Sequence, residues 1–222
     1  MEDIAVVIVG GGASRRYGEE NKLFVRLKGV PLFIFSLRNF AACAAPGNLI
    51  FVAPAAEQET FRKYAAEYLS GVEIKWVNGG NTRSESVQNG LAAVTLKSGL
   101  IAIHDAARPL ADARLLKNLA ETSRSFDGAI PGKPVTDTIK RCSAEGVICE
   151  TVDRTPLWRV ETPQVFDLEK LRTAYRKLQN GSLTDDAGVM EMAGFSVAVF
   201  HNPEPNLKLT YPEEFRLLEE LM

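Results

Sequence analysis

The chain has few cysteines and few histidines. Its 222 residues include three cysteines, Cys43, Cys142 and Cys149, which form no C-x-x-C pair, and two histidines, His104 and His201. An odd number of cysteines fits no closed disulfide framework. We therefore expect reduced thiols and a cytoplasmic protein. His104 precedes an aspartate, as in metal-dependent HD phosphohydrolases, but such a site needs further histidines at metal spacing, so we expect both histidines to be structural.

Long hydrophobic runs and a strong charge imbalance are missing as well. No apolar run exceeds six residues, whereas a membrane-spanning helix needs roughly 20. Glu2 and Asp3 occupy the place of the basic start of a signal peptide. The net charge is −2, from 26 Lys and Arg against 28 Asp and Glu. We therefore expect neither a membrane nor a nucleic acid as a partner.

What the sequence does contain is a regular alternation of short apolar strands and amphipathic helices. Strands are predicted at Ile4–Val9, Leu49–Ala53 and Leu100–His104, with helical periodicity between them. This order is typical of an α/β protein with a Rossmann-like, mainly parallel sheet flanked by helices. No linker or composition break divides the chain, so we expect one domain over residues 1–222.

The rhythm changes after residue 128. Two short β-type stretches, Asp137–Lys140 and Val147–Thr151, surround a turn at Ala144–Gly146. A two-stranded ribbon is marginal alone in water. We therefore predict a protruding β-hairpin, an arm at about 134–156, that contacts a second subunit and makes the protein a homodimer.

The most informative segment begins with the glycine turn Gly10–Gly12 and continues through Arg15, Arg16 and Lys22. Successive glycines after a strand let backbone N–H groups approach phosphate oxygens. The third glycine of a dinucleotide-binding motif is missing, which argues against a Rossmann oxidoreductase, and no P-loop Gly-Lys-Ser/Thr follows. Residues 15–28 carry five cations against two carboxylates. Glycines combined with fixed cations favour a nucleoside triphosphate as the ligand.

Further short motifs occur in order along the rest of the chain. They are Gly79-Gly80-Asn81-Thr82-Arg83-Ser84-Glu85-Ser86-Val87, His104-Asp105-Ala106-Ala107-Arg108-Pro109, Asp137-Thr138-Ile139-Lys140, Asp153-Arg154 with Leu157-Trp158, Thr162-Pro163-Gln164, Thr184-Asp185-Asp186-Ala187 and Asn206-Leu207-Lys208-Leu209-Thr210. Together with the glycine loop, these motifs resemble those of the 2-C-methyl-D-erythritol 4-phosphate cytidylyltransferase family of the non-mevalonate isoprenoid route.

The resemblance implies transfer of CMP from CTP to methylerythritol phosphate, with release of pyrophosphate and with Mg²⁺ as cofactor. It implies that Arg16 and Lys22 are catalytic and stabilise the transition state. The residues that it places at CTP are Gly10, Gly11, Gly12, Ala13, Ser14, Arg15, Gly80, Asn81, Ser86 and Ala106.

For the acceptor, the resemblance implies that Arg154 and Lys208 bind its phosphate. Thr138, Thr184 and Asp186 are left for its hydroxyls, and Arg108 either reaches a phosphate or holds Asp105 in place. Asp105 ends a predicted strand, where it either touches Mg²⁺, directly or through water, or contacts the ribose. Thr184 is also the predicted N-cap of a helix, and Arg154 follows the arm, so we expect it to serve the neighbouring subunit's site.

Three departures from the family pattern stand out. Six positions separate Arg16 from Lys22 where the family usually has seven, Asn81 replaces an acidic residue, and Asp186 replaces a glutamate. Two other functions stay open at this point: a related ribitol-5-phosphate cytidylyltransferase, and a non-catalytic nucleotide-binding protein that kept the fold.

Overall fold

A mixed, mainly parallel β-sheet with helices on both faces forms the body of the protein. The computed structural model describes residues 3–11, 21–178 and 183–222. Its strands are β1 Ile4–Val9, β2 Arg26–Leu27, β3 Val30–Pro31, β4 Leu49–Ala53, β5 Lys75–Asn78, β6 Leu100–Asp105, β7 Gly128–Pro134, β8 Ile139–Cys142, β9 Ile148–Val152, β10 Trp158–Val160, β11 Gln164–Asp167 and β12 Val197–His201. Its α-helices are α1 Leu32–Ala41, α2 Gln58–Tyr68, α3 Arg83–Ala93, α4 Ala113–Thr122, α5 Leu168–Lys177, α6 Asp186–Met192 and α7 Glu214–Glu220.

The main sheet has eight strands in the order β10-β7-β11-β6-β1-β4-β5, and β12 also pairs with β7. β1 runs parallel to both β4 and β6, and β4 runs parallel to β5. β11 is antiparallel to both β6 and β7. The predicted Rossmann-like sheet flanked by helices is therefore confirmed, with antiparallel pairs confined to the side that carries β10, β7 and β11.

Strand β1 shows why its sequence is apolar throughout. Ile4, Val6 and Ile8 face a core that includes residues of α1, α2, α4 and α7, whereas Ala5, Val7 and Val9 face a core that includes residues of α3, α5 and α6. A strand covered on both faces has no polar side, so it reads as a continuous apolar run. The predicted bounds of β1 and β4 agree with the structure, and β6 is one residue longer than predicted.

The arm is present as a separate two-stranded sheet. β8 and β9 pair antiparallel, with an irregularity between Arg141 and Cys142. Both strands begin one or two residues later than predicted, and Gly146 closes the turn with a φ of 82°, a conformation that favours glycine. The arm grows out of the main sheet, because Pro134 of β7 and Trp158 of β10 face each other across a ladder.

Candidate active site

The first glycine turn lies directly after β1. The Gly10 N–H donates to the Val52 carbonyl at 2.7 Å, which fixes the chain as it leaves the strand. A Cβ on Gly10 would lie 2.5 Å from the Phe51 ring, so a larger residue does not fit there. A Cβ on Gly11 would lie 3.7 Å from Ser86 Oγ, which places the Gly79–Gly80 turn beside this one. The structure therefore brings together Gly10, Gly11 and Ser86, and their contact with CTP stays a prediction.

The second glycine turn is held by its own side chains. Ser86 Oγ accepts a hydrogen bond from the Gly80 N–H at 3.1 Å and donates to the Thr82 carbonyl at 2.9 Å. Glu85 accepts from the Asn81 N–H at 2.7 Å. A Cβ on Gly80 would lie 2.3 Å from that of Glu85, so the turn closes tightly on the start of α3. Ser86 thus has a structural role, whatever it contacts in a ligand.

The basic segment is described from residue 21 onward. Asn21 caps a short 3₁₀ turn, Lys22–Phe24, by accepting from the Leu23 N–H, and its amide donates to Glu57 at 2.8 Å. This capping fixes the backbone that carries the half-buried Lys22. The predicted site residues Gly12, Ala13, Ser14, Arg15 and Arg16 lie outside the described residues.

Asp105, at the end of β6, is the centre of a group of charges. Lys208 Nζ lies 2.6 Å from its Oδ2 and Arg83 Nε lies 3.5 Å from its Oδ1. Burial alone would raise the pKa of Asp105, but Lys208 and Arg83 outweigh it and hold the pKa of this carboxyl well below its usual range. Asp105 is therefore ionised at neutral pH, and its two oxygens face two different cations.

Arg83 also binds a second carboxylate. Its Nη2 lies 2.7 Å from Asp186 Oδ2, and Asp186 Oδ1 accepts from the Tyr175 hydroxyl at 2.5 Å. Burial alone would lower the pKa of Arg83, but Asp186 and Asp105 together raise it. We call Arg83, Asp105, Asp186 and Lys208 the charged cluster. Its members come from α3, β6, α6 and the segment before α7.

The start of α6 corrects one prediction. Asp185, not Thr184, is the N-cap, because its side chain accepts from the Gly188 N–H at 3.1 Å. Gln164 holds this turn: its Oε1 accepts from the Asp186 and Ala187 N–H groups at 3.1 Å, and its Nε2 donates to Asp185. Thr184 is exposed next to this cap. Asp186 is fully buried, and its proposed contact with an acceptor hydroxyl stays a prediction.

Ala106 and Arg108 follow Asp105 in a tight turn. The Ala106 N–H donates to the Val9 carbonyl at 3.1 Å, which ties this turn to the glycine loop. Arg108 donates to the Asn206 carbonyl at 2.7 Å. Two buried side-chain atoms within the described residues have no hydrogen-bond partner there, Arg108 Nε and Asn206 Oδ1. Burial lowers the pKa of Arg108.

The predicted site residues on the arm are separate from the charged cluster, and the hydrogen bond of Arg154 lies within the arm. Thr138 and Arg154 are exposed, and Arg154 donates to the carbonyl of Thr136 on the arm itself. The hydrophobic side chains of Val147 and Ile148 are 65% and 61% exposed. The arm therefore presents apolar and cationic groups to the outside of this chain.

The two histidines have different environments, and that of His104 is structural. His104 is fully buried, where it contacts Thr162 Oγ1 and the Arg108 carbonyl, each at 3.2 Å. Burial lowers the pKa of His104 to about 3, so the ring is neutral at physiological pH. His201 is exposed at the end of β12. Over residues 3–11, 21–178 and 183–222, no group of three or more His, Cys, Asp or Glu side chains is arranged to hold a metal ion.

Three residues that shape the site were not among the predicted site residues: Arg83, Gln164 and Tyr175. Arg83 and Gln164 lie inside motifs that the sequence analysis quoted, so their position was visible but their partners were not. Tyr175 belongs to an apolar helix face and is 6% exposed. Its hydroxyl is a polar tip on a core residue, and no sequence pattern marked it.

Comparison with known proteins gives the class and then the family. A family model described as 2-C-methyl-D-erythritol 4-phosphate cytidylyltransferase matches residues 4–222. With this match and its Rossmann-like sheet, the chain is a nucleotidyltransferase. It belongs to the 2-C-methyl-D-erythritol 4-phosphate cytidylyltransferase family.

The relatives are similar over their full length. The enzyme of that name from Bacillus velezensis is 38% identical over 226 residues, which cover 100% of this chain and 96% of the relative. That from Halalkalibacterium halodurans is 38% identical over 224 residues, with 100% and 97% covered.

Solved structures agree with this family. The Thermus thermophilus cytidylyltransferase has a TM-score of 0.77 at 28% identity, covering 99% of this chain and 98% of that one. The Anaerococcus prevotii synthase has a TM-score of 0.83 at 23% identity, covering 99% and 97%, which is a likeness of fold.

Proposed function

We propose that this protein transfers CMP from CTP to 2-C-methyl-D-erythritol 4-phosphate, giving 4-diphosphocytidyl-2-C-methyl-D-erythritol and pyrophosphate. The observation that supports this most is the likeness to the family over residues 4–222, which contains every motif on which the resemblance rested. An oxygen of the acceptor phosphate forms a bond to the α-phosphorus of CTP, and the bond from that phosphorus to the bridging oxygen of pyrophosphate breaks. A phosphate monoester is already ionised at neutral pH, so no general base is required.

The main physical obstacle is that both reactants are anions. Fixed cations must offset their repulsion and the charge that develops on the α-phosphate oxygens. We assign Arg16 and Lys22 to the transition state, and Lys208 with Arg154 to the acceptor phosphate. Arg108 either contacts a phosphate or holds Asp105. Thr138, Thr184 and Asp186 are the proposed contacts of the acceptor hydroxyls.

The nucleotide side consists of the two glycine turns. The glycine turn from Gly10 to Ala13, with Ser14 and Arg15, is the proposed partner of the triphosphate. The Gly10 N–H donates to the Val52 carbonyl, so the proposed backbone donors are the N–H groups that follow it. Gly80, Asn81, Ser86 and Ala106 are the proposed lining of the cytosine and ribose pocket. Close packing of these turns against Phe51 and Glu85 leaves no room for a side chain at Gly10 or Gly80, and selection of a pyrimidine by the pocket is part of the proposal.

Mg²⁺ is the proposed cofactor, and the described residues offer it a single carboxylate ligand. The described donor set is one carboxylate, Asp105, whose oxygens face Arg83 and Lys208. Mg²⁺ is commonly held by one or two carboxylates together with substrate phosphates and water. Asp105 would thus hold the ion directly or through water, and when bound the ion would neutralise charge on the CTP phosphates.

A homodimer formed through the arm is also part of the proposal. Val147, Ile148, Trp158 and Val160 are all at least 39% exposed on the arm and at its base. A second copy that covers them would bring its own arm to this chain's site, and Arg154 with Thr138 would then serve the neighbouring acceptor.

No helix within the described residues combines the length and apolar character that crossing a bilayer requires. Three free cysteines are consistent with the proposed cytoplasmic location.

The test is an assay of pyrophosphate release with CTP and either methylerythritol phosphate or ribitol 5-phosphate. We expect a clear preference for methylerythritol phosphate, and a preference for ribitol 5-phosphate would overturn the assignment. Lys22→Ala should lower the rate by about 10² to 10⁵ while CTP binding is partly retained. Lys28→Gln, which removes an exposed cation from the same basic segment, is the matched control and should keep the wild-type rate. Absence of pyrophosphate release by the wild-type protein with either acceptor, while CTP is still bound, would favour a binding protein. A wild-type rate in Lys22→Ala would overturn the catalytic role of Lys22.

A further inference from the structure

The placement of Arg83 needs an explanation beyond helix stability. It is the first residue of α3, whose N-terminus is already capped by Thr82. A cation in the first turn is opposed by the helix dipole, so this position carries a local cost. Its guanidinium is turned inward and only 23% of the side chain is exposed. The side chain therefore serves its contacts with the two carboxylates rather than the helix.

Arg83 and Lys208 share one carboxylate. Arg83 Nε lies 3.5 Å from Oδ1 of Asp105, and Lys208 Nζ lies 2.6 Å from Oδ2. Arg83 is also anchored away from Asp105, through Nη2, to Asp186, which is fully buried. An arginine reaches both carboxylates at once because its planar fork carries several donors. The Arg83 guanidinium beside Asp105 is thus held in position by its ion pair with Asp186.

Lys208 has a more exposed side chain than Arg83 and pairs with one carboxylate instead of two. Its side chain is 38% exposed, and its contact in the described residues is Asp105 alone. A substrate phosphate competes with this carboxylate for the Lys208 ammonium group. If Arg83 were absent, and before a metal ion binds, Asp105 would depend far more on Lys208 for its counter-charge, and the exchange would be harder.

We propose that Arg83 is a positioning residue, which neutralises Asp105 so that Lys208 can transfer from this carboxylate to the phosphate of the acceptor. This inference rests on the proposed function, in which Lys208 binds that phosphate. Arg83 itself touches no substrate in this arrangement. It acts through Lys208, and Asp186 holds it in place.

The experiment compares Arg83→Gln, Arg83→Lys and Arg172→Gln. Arg83→Gln should raise the KM for the acceptor about tenfold or more, while the KM for CTP stays within about twofold. Arg83→Lys keeps a cation in the cluster and should fall between Arg83→Gln and the wild type. Arg172→Gln removes an arginine of similar exposure, 22%, whose contacts are Glu169 and the Val94 and Leu96 carbonyls. It should lower stability but leave both KM values unchanged.

A measurement with inorganic phosphate tests the same inference without turnover. Phosphate affinity, followed by ³¹P NMR titration, should fall in Arg83→Gln and not in Arg172→Gln. In a Lys208→Ala background, Arg83→Gln should have no further effect, because a residue that acts through Lys208 cannot act without it.

The possible failures are distinct. Additive losses of phosphate affinity in the double variant would show that Arg83 contacts phosphate itself and would overturn the proposal. Equal changes in both KM values, or an unchanged acceptor KM in Arg83→Gln, would overturn it as well. A wild-type protein that binds phosphate but does not turn over methylerythritol phosphate would instead refute the proposed function, while the phosphate titration would still decide the role of Arg83.

Discussion

The charged cluster and the arm differ in how completely this chain builds them. In the cluster, Arg83, Asp105, Asp186 and Lys208 come from distant parts of the sequence and pair with one another at 2.6 to 3.5 Å. In the arm, the contacts are local: Arg141 pairs with Glu150 on the adjacent strand, and Lys140 bonds to Thr151. The cluster ranges from the fully buried Asp186 to Lys208, whose side chain is 38% exposed, while Val147 and Ile148 on the arm are 65% and 61% exposed.

The difference separates two kinds of functional residue. Groups in the cluster are oriented before any ligand arrives, because their partners lie within the same chain. Groups on the arm have few partners within this chain, so their final arrangement depends on what covers them. Substitutions in the cluster should therefore alter chemistry at fixed assembly, and substitutions on the arm should alter assembly first.

The largest effect is expected from Asp105→Asn. It removes the carboxylate proposed to hold Mg²⁺ at the CTP phosphates, so kcat/KM should fall by about 10² or more although Lys208 is freed for the acceptor phosphate. Steady-state kinetics measures this. The control is Asp127→Asn at the start of β7, an aspartate that also has a lysine partner, Lys170 at 2.5 Å. It should keep the wild-type kcat/KM, and a similar loss in both variants would show that the effect is not specific to the cluster.

A somewhat smaller effect is expected from Ile148→Asp on the arm. A buried carboxylate at an apolar contact should weaken dimerisation by about tenfold or more, and activity should fall with it. Analytical ultracentrifugation at several concentrations measures the first and the pyrophosphate assay the second. Glu150→Gln on the same strand breaks an exposed ion pair and should change neither. A dimer that survives Ile148→Asp would place the interface elsewhere.

The two glycines after β1 offer a comparison within the nucleotide side. In Gly10→Ala the new Cβ meets the Phe51 ring at 2.5 Å, and Phe51 is fully buried. The free energy of unfolding should fall by about 1–3 kcal/mol. Gly11→Ala places its Cβ 3.7 Å from Ser86 Oγ, the nearest atom in the described residues apart from its chain neighbours, and should cost less than about 0.5 kcal/mol. Urea denaturation measures the free energy of unfolding of both variants. Equal values for the two would contradict the packing described for Gly10.

The smallest effect concerns pH. His104 has a pKa lowered by burial from 6.5 to about 3, so the folded protein binds fewer protons than the unfolded chain between these values. Its stabilising contribution is complete above pH 6.5 and is lost as the pH falls, by up to about 1.4 kcal/mol per pH unit. Urea denaturation at pH 7, 6 and 5 in metal-free buffer measures this slope. His104→Gln should remove it and His201→Gln should keep it; the reverse pattern would contradict the assignment.

Much of the sheet could be predicted because its strands are buried on both faces. Ile4–Val9 and Leu49–Ala53 are continuous apolar runs, and the structure confirms their bounds. The arm was also predictable, from its turn residues and low apolar content. Its strands begin later than predicted, since register depends on pairing across the turn rather than on composition. The prediction of a single domain is not tested here and stays a prediction.

The charged cluster could be predicted only in part. The sequence singled out Asp105, Asp186 and Lys208 through the resemblance, but Arg83 and Asp186 are 103 positions apart and no local pattern links them. The N-cap prediction at Thr184 was wrong for a related reason. Threonine and aspartate both cap helices, and the choice of Asp185 depends on Gln164, which is buried on β11 and bonds to this turn.

The way the arm leaves the sheet has a consequence for its modularity. Pro134 faces Trp158, and the Val135 N–H donates to the Leu157 carbonyl at 3.0 Å, so the chain returns to the point from which it departed. The segment between these two residues is therefore an insertion that leaves the sheet and re-enters it at the same place. Replacing it by a short turn would leave each ladder hydrogen bond of the eight-stranded sheet in place. The trimmed protein would lack Thr138 and Arg154 together with the arm, so its folding and CTP binding could be studied apart from self-association and acceptor binding.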